Sequence, residues 1–466
     1  MAVEHHREQE LTFDVDPSWT LPDLHSAVPD GGRLEMATHE LEATYFDTDR
    51  STLRRLGFTM RRRSGGEDAG WHLKIPAEDA RTEVQSKAAG SRPPAVLTRL
   101  VSGVVGGLRV GPVATIRTTR HTSRILNRDG QLVLEVAEDD VVGQRPEPDA
   151  APVEWREVEV ELGDGGSSAD LDRLAALFSK AGARPAAVER KINHVLGEPT
   201  LAKLDGIPGL LVDYVREQCR RILIGDVLLR DDPSSAAVHK TRIAIRRLRS
   251  TMRLFSDAFF NIPEGFDDDL SWIAALLSPI RDGDILARRL VRETDQLSET
   301  DIVGPVRKEV TSALRRERTG AIAQWREAGK AERYQRILAT LNDWYASVPV
   351  APDAAVNAEK VLKKARRKVK RRLANADRPE DLHSARKAAK RLRYAADLLG
   401  QNMTGAAKTA KKAKDAQTTL GDHQDLVVAA GWLRGRATSG EVQNGYTYGV
   451  LVARLEQEAV EIRRSL

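Results

Sequence analysis

HKTRIAIRRLRSTMRLF (239–255) and HSARKAAKRLRYAADLL (383–399) share the frame H-x-x-R-x-x-x-[RK]-R-L-R at an offset of 144 residues. A second pair follows each copy: LSPIRDGD (277–284) and LGDHQD (420–425) keep the leucine and one aspartate, Asp282 and Asp425, in register at an offset of 143. Two ordered matches at nearly one spacing mark an internal duplication. On a helix, positions i, i+3, i+7 and i+10 fall along one stripe, so His239, Arg242, Arg246 and Arg249 project together, as do His383, Arg386, Lys390 and Arg393. Each stripe is cationic and about 15 Å long. Adjacent like charges repel, which calls for a bound anion or a facing acidic partner, with Asp282, Asp284, Asp422 and Asp425 as candidates. A plain solvated helix face is the alternative.

Around the duplication the pattern is helical from about residue 205 to the end. Turn-forming breaks fall at DDPSS (231–235), NIPEGFDDD (261–269), VPVAPDA (348–354), ADRPEDL (376–382) and the GEVQNG segment after Ser439. Just before the second stripe, KKARRKVKRR (363–372) packs eight cations into ten residues; Lys364, Arg367 and Arg371 are its candidate polyanion contacts. The run has no interleaved aromatics for base stacking and no glycine-rich tail, so it points to phosphate contact without base contact, and nucleic acid is the disfavoured partner. Arginine offers bidentate contacts to phosphate oxygens and lysine a point charge.

Net charge is +5, but residues 201–466 carry 48 Lys and Arg against 35 Asp and Glu, whereas residues 1–200 carry 25 against 33. A basic half attracts polyanions; an acidic half that also binds anions needs metal ions to do so.

Residues 1 to about 195 read as strands: Leu11 to Val15, Leu41 to Phe46, Thr59 to Arg63, Gly70 to Ile75, Ala114 to Leu126, Gln131 to Glu138 and Trp155 to Leu162. In WREVEVEL (155–162), Glu157, Glu159 and Glu161 share one face and Val158, Val160 and Leu162 the other. The acidic face is either the solvent side of a simple sheet or the lumen of a closed barrel. Breaks fall near Pro93 and at GQRPEPDAAP (143–152), the second a hairpin loop, and a helix is expected over Ala169 to Ala181.

The length of 466 residues favours several domains. The expected division is 1–197, a linker at 198–209, and 210–466 with repeats at about 210–345 and 355–466. No apolar run reaches membrane-spanning length, the N-terminus MAVEHHREQE has no apolar core, and the single cysteine, Cys219, excludes an intrachain disulfide framework. A cytoplasmic protein without a membrane partner is expected.

The paired H-x-x-R-x-x-x-[RK]-R-L-R helices with downstream aspartates resemble the CHAD family over about 210–466. The resemblance implies an all-α domain of two pseudo-symmetric four-helix bundles that binds inorganic polyphosphate, and a location in the cytoplasm at polyphosphate granules.

The N-terminal half then resembles the CYTH domain often fused ahead of CHAD. EQELTF resembles the family's E-x-E-x-K opening, through Glu8 and Glu10, and YFDTDRSTLRRLGFTMRRR its Y-x-D-T … L-R-x-R segment. The resemblance implies an eight-stranded antiparallel β-tunnel, and hence an α+β multi-domain chain. It implies triphosphate ligands at Arg61, Arg63, Lys74, Arg117, Arg120 and Lys191. Carboxylates at Glu8, Glu10, Asp139, Glu157 and Glu159 would hold Mg²⁺ or Mn²⁺, with Glu8, Glu10, Lys74, Glu157 and Glu159 as the catalytic set. Oxygen-rich carboxylate sets suit those ions, which offset charge on a transferring phosphoryl group. One position departs from the family: Thr12 stands where the opening lysine is expected, which leaves turnover in question.

Two functions follow. One is a metal-dependent inorganic triphosphatase whose basic domain gathers polyphosphate. The other is a non-catalytic, granule-associated polyphosphate-binding protein with a degenerate tunnel. Cyclisation of ATP has family precedent, but no residues here specify an adenine pocket.

Overall fold

In a computed structural model the chain forms two compact units, Met1–Thr200 and Leu201–Leu466. The structure describes residues 4–66, 68–76, 81–188, 190–376, 378–439 and 444–465. Among them no helix is long and apolar enough to cross a membrane.

The first unit contains β1 (Glu4–Glu8), β2 (Glu10–Asp14), β3 (Arg33–Asp47), α1 (Thr52–Leu56), β4 (Thr59–Ser64), β5 (Gly70–Ile75), β6 (Arg81–Ser86), α2 (Ala95–Val105), β7 (Gly111–Leu126), β8 (Leu132–Gln144), β9 (Val153–Leu162), α3 (Ser168–Lys180), the two-residue β10 (Arg184–Pro185) and α4 (Lys191–Leu196). The antiparallel sheet runs β1-β6-β5-β4-β3-β7-β8-β9-β2-β10. β1 and β2 are one N-terminal strand interrupted at Gln9. Its first half pairs with β6 at one edge of the sheet, and its second half pairs with β9 at the other. The sheet therefore closes on itself. Counting that strand once and leaving out β10, eight strands make the tunnel.

Closure decides which face of WREVEVEL is which. Val158 and Val160 point outward and are fully buried under α3 by Leu171, Leu174 and Phe178, with Phe13 and Trp19 completing that core. α3 begins at a capping box of Ser167 and Asp170, which satisfies its first free N–H groups. The glutamates on the alternate positions face the lumen. At one end the lumen is filled: Ala43, Tyr45, Ala114, Ile116 and Val141 from the inward faces of β3, β7 and β8 pack against Ile192 and Val195 of α4. α4 is thus a stopper, and its first residue, Lys191, stands at the boundary between apolar plug and polar lumen.

The second unit contains α5 (Gly206–Asp231), α6 (Ser235–Leu254), α7 (Phe266–Asp295), α8 (Val306–Ala328), α9 (Glu332–Ala346), α10 (Ala358–Ala374), α11 (Pro379–Leu399), α12 (Ala406–Ser439) and α13 (Gly445–Arg464). The duplication offset lays α5 to α8 onto α10 to α13 and leaves α9 without a counterpart. The copies interlock through a shared core: Leu290 of α7 and Val306, Val310 and Leu314 of α8 pack with Leu426 and Leu433 of α12 and Leu451 and Leu455 of α13. α9 completes the other end, where Tyr334 donates to the buried Asp226 of α5 at 2.8 Å. α5 and α6 approach very closely, since a Cβ on Gly225 would lie 2.1 Å from Thr241 Oγ1.

Candidate functional site

The tunnel lumen is an open cavity of about 500 Å³ lined by Arg61, Arg63, Lys74, Arg120 and Arg124 on the cationic side and by Glu10, Glu83, Glu135, Glu159 and Glu161 on the acidic side. Strand alternation places them. On β7 the inward positions are even, giving Arg120, Thr122 and Arg124; on β9 they are odd, giving Glu157, Glu159 and Glu161.

Arg117 is a correction. It occupies an odd position of β7, so its side chain lies on the outer face, exposed and paired with Glu42 at 2.9 Å. Arg124, two inward positions beyond Arg120, lines the cavity and pairs with Glu135 at 3.5 Å. Counting by two from Arg120 would have found Arg124 and excluded Arg117.

At the inner end of the lumen, Asp139, Glu157 and Glu159 bring carboxylate oxygens within 4.8 Å of one another. Three oxygen donors so close fit a hard divalent cation. The lysine and an arginine of the chain already sit among them. Lys191 Nζ lies 3.0 Å from Asp139 and 2.6 Å from Glu159 and also contacts Glu157; Arg120 donates to Asp139 at 2.8 and 2.6 Å and to Glu159 at 2.5 Å. Burial opposes the Lys191 charge, but Glu157, Glu159 and Asp139 outweigh it and hold its pKa above the ordinary lysine value. Burial raises Glu157, with Lys191 opposing; at Glu159 burial is overcome by Lys191 and Arg120, which hold that carboxyl well below its usual range. Lys191, expected as a triphosphate ligand, is therefore a counter-ion to the carboxylate cluster in this structure.

Toward the open end, Lys74 Nζ is 3.8 Å from Glu10. Glu161, exposed to the lumen, is pushed up to about 7 by desolvation and by Glu10, Glu135 and Glu159, against Lys74. Arg61 is buried beside Tyr45 and lies 3.9 Å from Glu83, while Arg63 pairs with Asp68. Burial and the neighbouring Arg61 hold Arg63 below the ordinary arginine value. Glu83 in turn meets Nδ1 of the fully buried His72 at 2.8 Å, and the Asp68 carbonyl lies 2.8 Å from His72 Nε2. Glu83 was not legible as a site residue, because β6 carries no clear strand signal; His72 lies on β5 two positions before Lys74, where counting by two would have found it. Glu8 lies on β1, whose side chains are outside the described residues. Thr12 faces Glu159 across the β2–β9 ladder.

In the helical unit the two stripes meet where α6 packs on α11. Arg247 reaches Asp397 at 3.9 Å, with its guanidinium 5.7 Å from the Tyr394 ring centre. The two copies pair their first arginine alike and their last arginine differently. Arg242 pairs with Asp282 at 2.7 Å, and Arg386 lies 3.8 Å from Asp425. Arg249 pairs with Asp267 at 3.0 Å, and Arg393 with Asp397 at 3.6 Å. His383 Nδ1 meets Gln424 Oε1 at 2.9 Å, whereas the buried His239 Nδ1 has no hydrogen-bond partner among the described residues. Burial and the neighbouring Lys387 hold His383 below the usual imidazole value.

The central position differs. Among the described residues neither Arg246 nor Lys390 has a carboxylate within ion-pair distance, and Arg246 Nε is buried without an acceptor. Burial and repulsion from Arg386, Arg246 and Arg242 push Lys390 down to about 7. A second cationic knot adjoins it, in which Arg391 feels Arg253, Arg372 and Arg249 and is held below its ordinary value, first by burial. Lys368 and Arg372 of α10 face that knot, while Lys364, Arg367 and Arg371 are exposed. Arg391, Lys368 and Arg372 were missed because the helix rotation of α10 against α11 is a tertiary fact.

The chain matches the family models for the CYTH domain over residues 7–184 and the CHAD domain over residues 213–434. It is 35% identical over 489 residues to uncharacterized protein Rv2226 of Mycobacterium tuberculosis, covering 97% of this chain and 93% of that one. Among solved structures, the CHAD domain from the plant Ricinus communis is similar at 22% identity and a TM-score of 0.47, over 56% of this chain and 90% of that one. HpAC1 from Hippeastrum, a putative adenylyl cyclase described as having a dominant triphosphatase activity, is similar at 14% identity and a TM-score of 0.24, over 41% of this chain and 97% of that one.

Proposed function

The chain belongs to the proteins that join a CYTH domain to a CHAD domain, and from that premise we propose that its helical unit binds inorganic polyphosphate and its tunnel hydrolyses triphosphate with Mg²⁺ or Mn²⁺. The observation that carries the first part is the pair Arg246 and Lys390. Each stripe uses aspartates to pair the flanking arginines and, among the described residues, leaves the same central cation without an ion-pair partner in both copies. A polyanion laid along α6 and α11 supplies the missing charge, and the residues offered to it are arginine and lysine, which suit phosphate oxygens. The flanking pairs hold the stripes in shape without cancelling the centre.

For the tunnel, arginines on one wall and carboxylates on the other fit a triphosphate held with a divalent cation. Asp139, Glu157 and Glu159, with Glu10, are the residues that would hold the ion, which supplies positive charge to the phosphoryl oxygens when bound. Arg61, Arg63, Lys74, Arg120 and Arg124 bind and orient the anion, and the α4 stopper keeps bulk water from the inner end.

Lys191 seated among the three carboxylates, together with Thr12, favours a second reading in which the tunnel binds without turnover and the protein serves at polyphosphate granules. One assay separates the two: phosphate release from triphosphate with Mg²⁺ or Mn²⁺, wild type against Glu157→Gln. Metal-dependent release lost in the variant supports the enzyme; no metal-dependent release in the wild type supports binding alone. For the helical unit, Arg246→Ala with Lys390→Ala is expected to weaken polyphosphate binding at least tenfold and to flatten its salt dependence. Unchanged binding sinks the assignment to the stripes.

A further inference from the structure

α10 carries nine cations against a single carboxylate, Glu359, and divides them between two faces. Leu362, Ala365 and Val369 are buried. On one flank Lys368 and Arg372 face the knot around Arg391, with the exposed Lys364 and Arg371 beside Lys368. Next to that flank on the solvent side, Lys363, Arg367 and Lys370 recur at i, i+4 and i+7, all exposed, and among the described residues none has an ion-pair partner. Arg366, on the far side of that set from the knot, reaches across to the Thr409 hydroxyl of α12, and Lys408 and Lys412 stand exposed on either side of that contact. α10 and α12 thus place exposed cations on both sides of the Arg366 contact.

Such a surface is costly. Like charges at i, i+4 each disfavour a helix by about 0.2–0.5 kcal/mol, and cations in its first turns oppose the helix dipole. Asn357 caps the N-terminus by accepting from Lys360 N at 2.8 Å, which offsets part of that cost and shows that the helix is held in place despite its charge.

We propose that this outer face of α10, continued by Lys408 and Lys412, is a second polyanion surface that takes inorganic polyphosphate separately from the stripes. It rests on the polyphosphate reading given above. The helical unit is then bivalent: a long chain held on the stripes of one molecule is held on the outer face of another, and polyphosphate and protein assemble together. Linked weak sites multiply affinity without any new contact, provided the polymer is long enough to span them.

The test compares the full-length protein with the Lys363→Gln, Lys370→Gln, Lys408→Gln, Lys412→Gln variant, whose positions are all exposed. Short-chain polyphosphate binding is measured by calorimetry and long-chain assembly by light scattering. Short-chain affinity is expected within about twofold of wild type, with long-chain assembly reduced at least fivefold. Unchanged assembly, with short-chain binding intact in both proteins, overturns the proposal and leaves the stripes standing. Absence of any polyphosphate binding by the wild type removes the stripe reading and this proposal together. Loss of binding to an RNA oligomer in the variant, with polyphosphate assembly unchanged, assigns the face to nucleic acid instead.

Discussion

Arg246 and Lys390 hold the same place in two helices 144 residues apart, and neither meets a carboxylate among the described residues, although the arginines one turn before them, Arg242 and Arg386, both do. The duplication therefore preserved an unneutralised centre together with the paired arginine one turn before it.

Lys390 makes that centre sensitive to pH. Its pKa of about 7 in the folded protein, lowered by burial and by Arg386, Arg246 and Arg242, lies below the unfolded value, so a bound polyanion draws a proton onto it. Polyphosphate affinity is expected to fall as pH rises above 7, by up to about tenfold per unit from this group, and Lys390→Arg is expected to flatten that slope. Calorimetry in buffers of different ionisation enthalpy checks the proton uptake.

The same shift sets a stability trend of opposite sense. A lysine with a depressed folded pKa penalises the fold fully below that value, and the penalty fades as pH rises from about 7 toward the unfolded pKa. Lys390→Gln is expected to raise the melting temperature of the helical unit at pH 6 by a few degrees, about 2–4 °C per kcal/mol for a unit of this size, and to change it little at pH 10. Thermal melts at both pH values decide it.

Lys191→Met removes the ammonium from Asp139, Glu157 and Glu159. Breaking one side of a buried ionic cluster costs about 3–5 kcal/mol. The tunnel unit is expected to melt earlier without metal and to recover more on adding Mn²⁺ than the wild type does. A metal response no larger than wild type would place the cation elsewhere.

Arg117 and Arg124 lie on opposite faces of β7. Arg124→Ala is expected to weaken triphosphate binding about tenfold, and Arg117→Ala to leave it within twofold, by calorimetry. Equal losses would contradict the strand's orientation.

Gly225→Ala places a methyl group 2.1 Å from Thr241 Oγ1. Overpacking of this kind costs about 1–3 kcal/mol, and Thr241→Ala is expected to restore most of it. A double-mutant cycle by denaturant unfolding measures the coupling.

The stretches of strict periodicity were the legible ones. WREVEVEL and the β7 alternation gave strands at their observed places, and the hairpin between β8 and β9 falls at GQRPEPDAAP. β6, α2 and the break between α7 and α8 were missed. β6 is a six-residue strand with no apolar alternation, and the short break between α7 and α8 is flanked by helical pattern on both sides.

By itself the sequence determined the duplication, the cationic stripes and the acidic face of β9, because each is a spacing along one element and needs no partner. Only the tertiary structure decided what those faces meet. Closure of the N-terminal strand onto both β6 and β9 turned the acidic face into a lumen, and the α4 stopper carried Lys191 into the carboxylates. The packing of α6 on α11 brought two cations together with no carboxylate at ion-pair distance among the described residues. Charge compensation depends on distances between elements far apart in sequence, so which charges are cancelled and which are left for a ligand is settled when the chain folds.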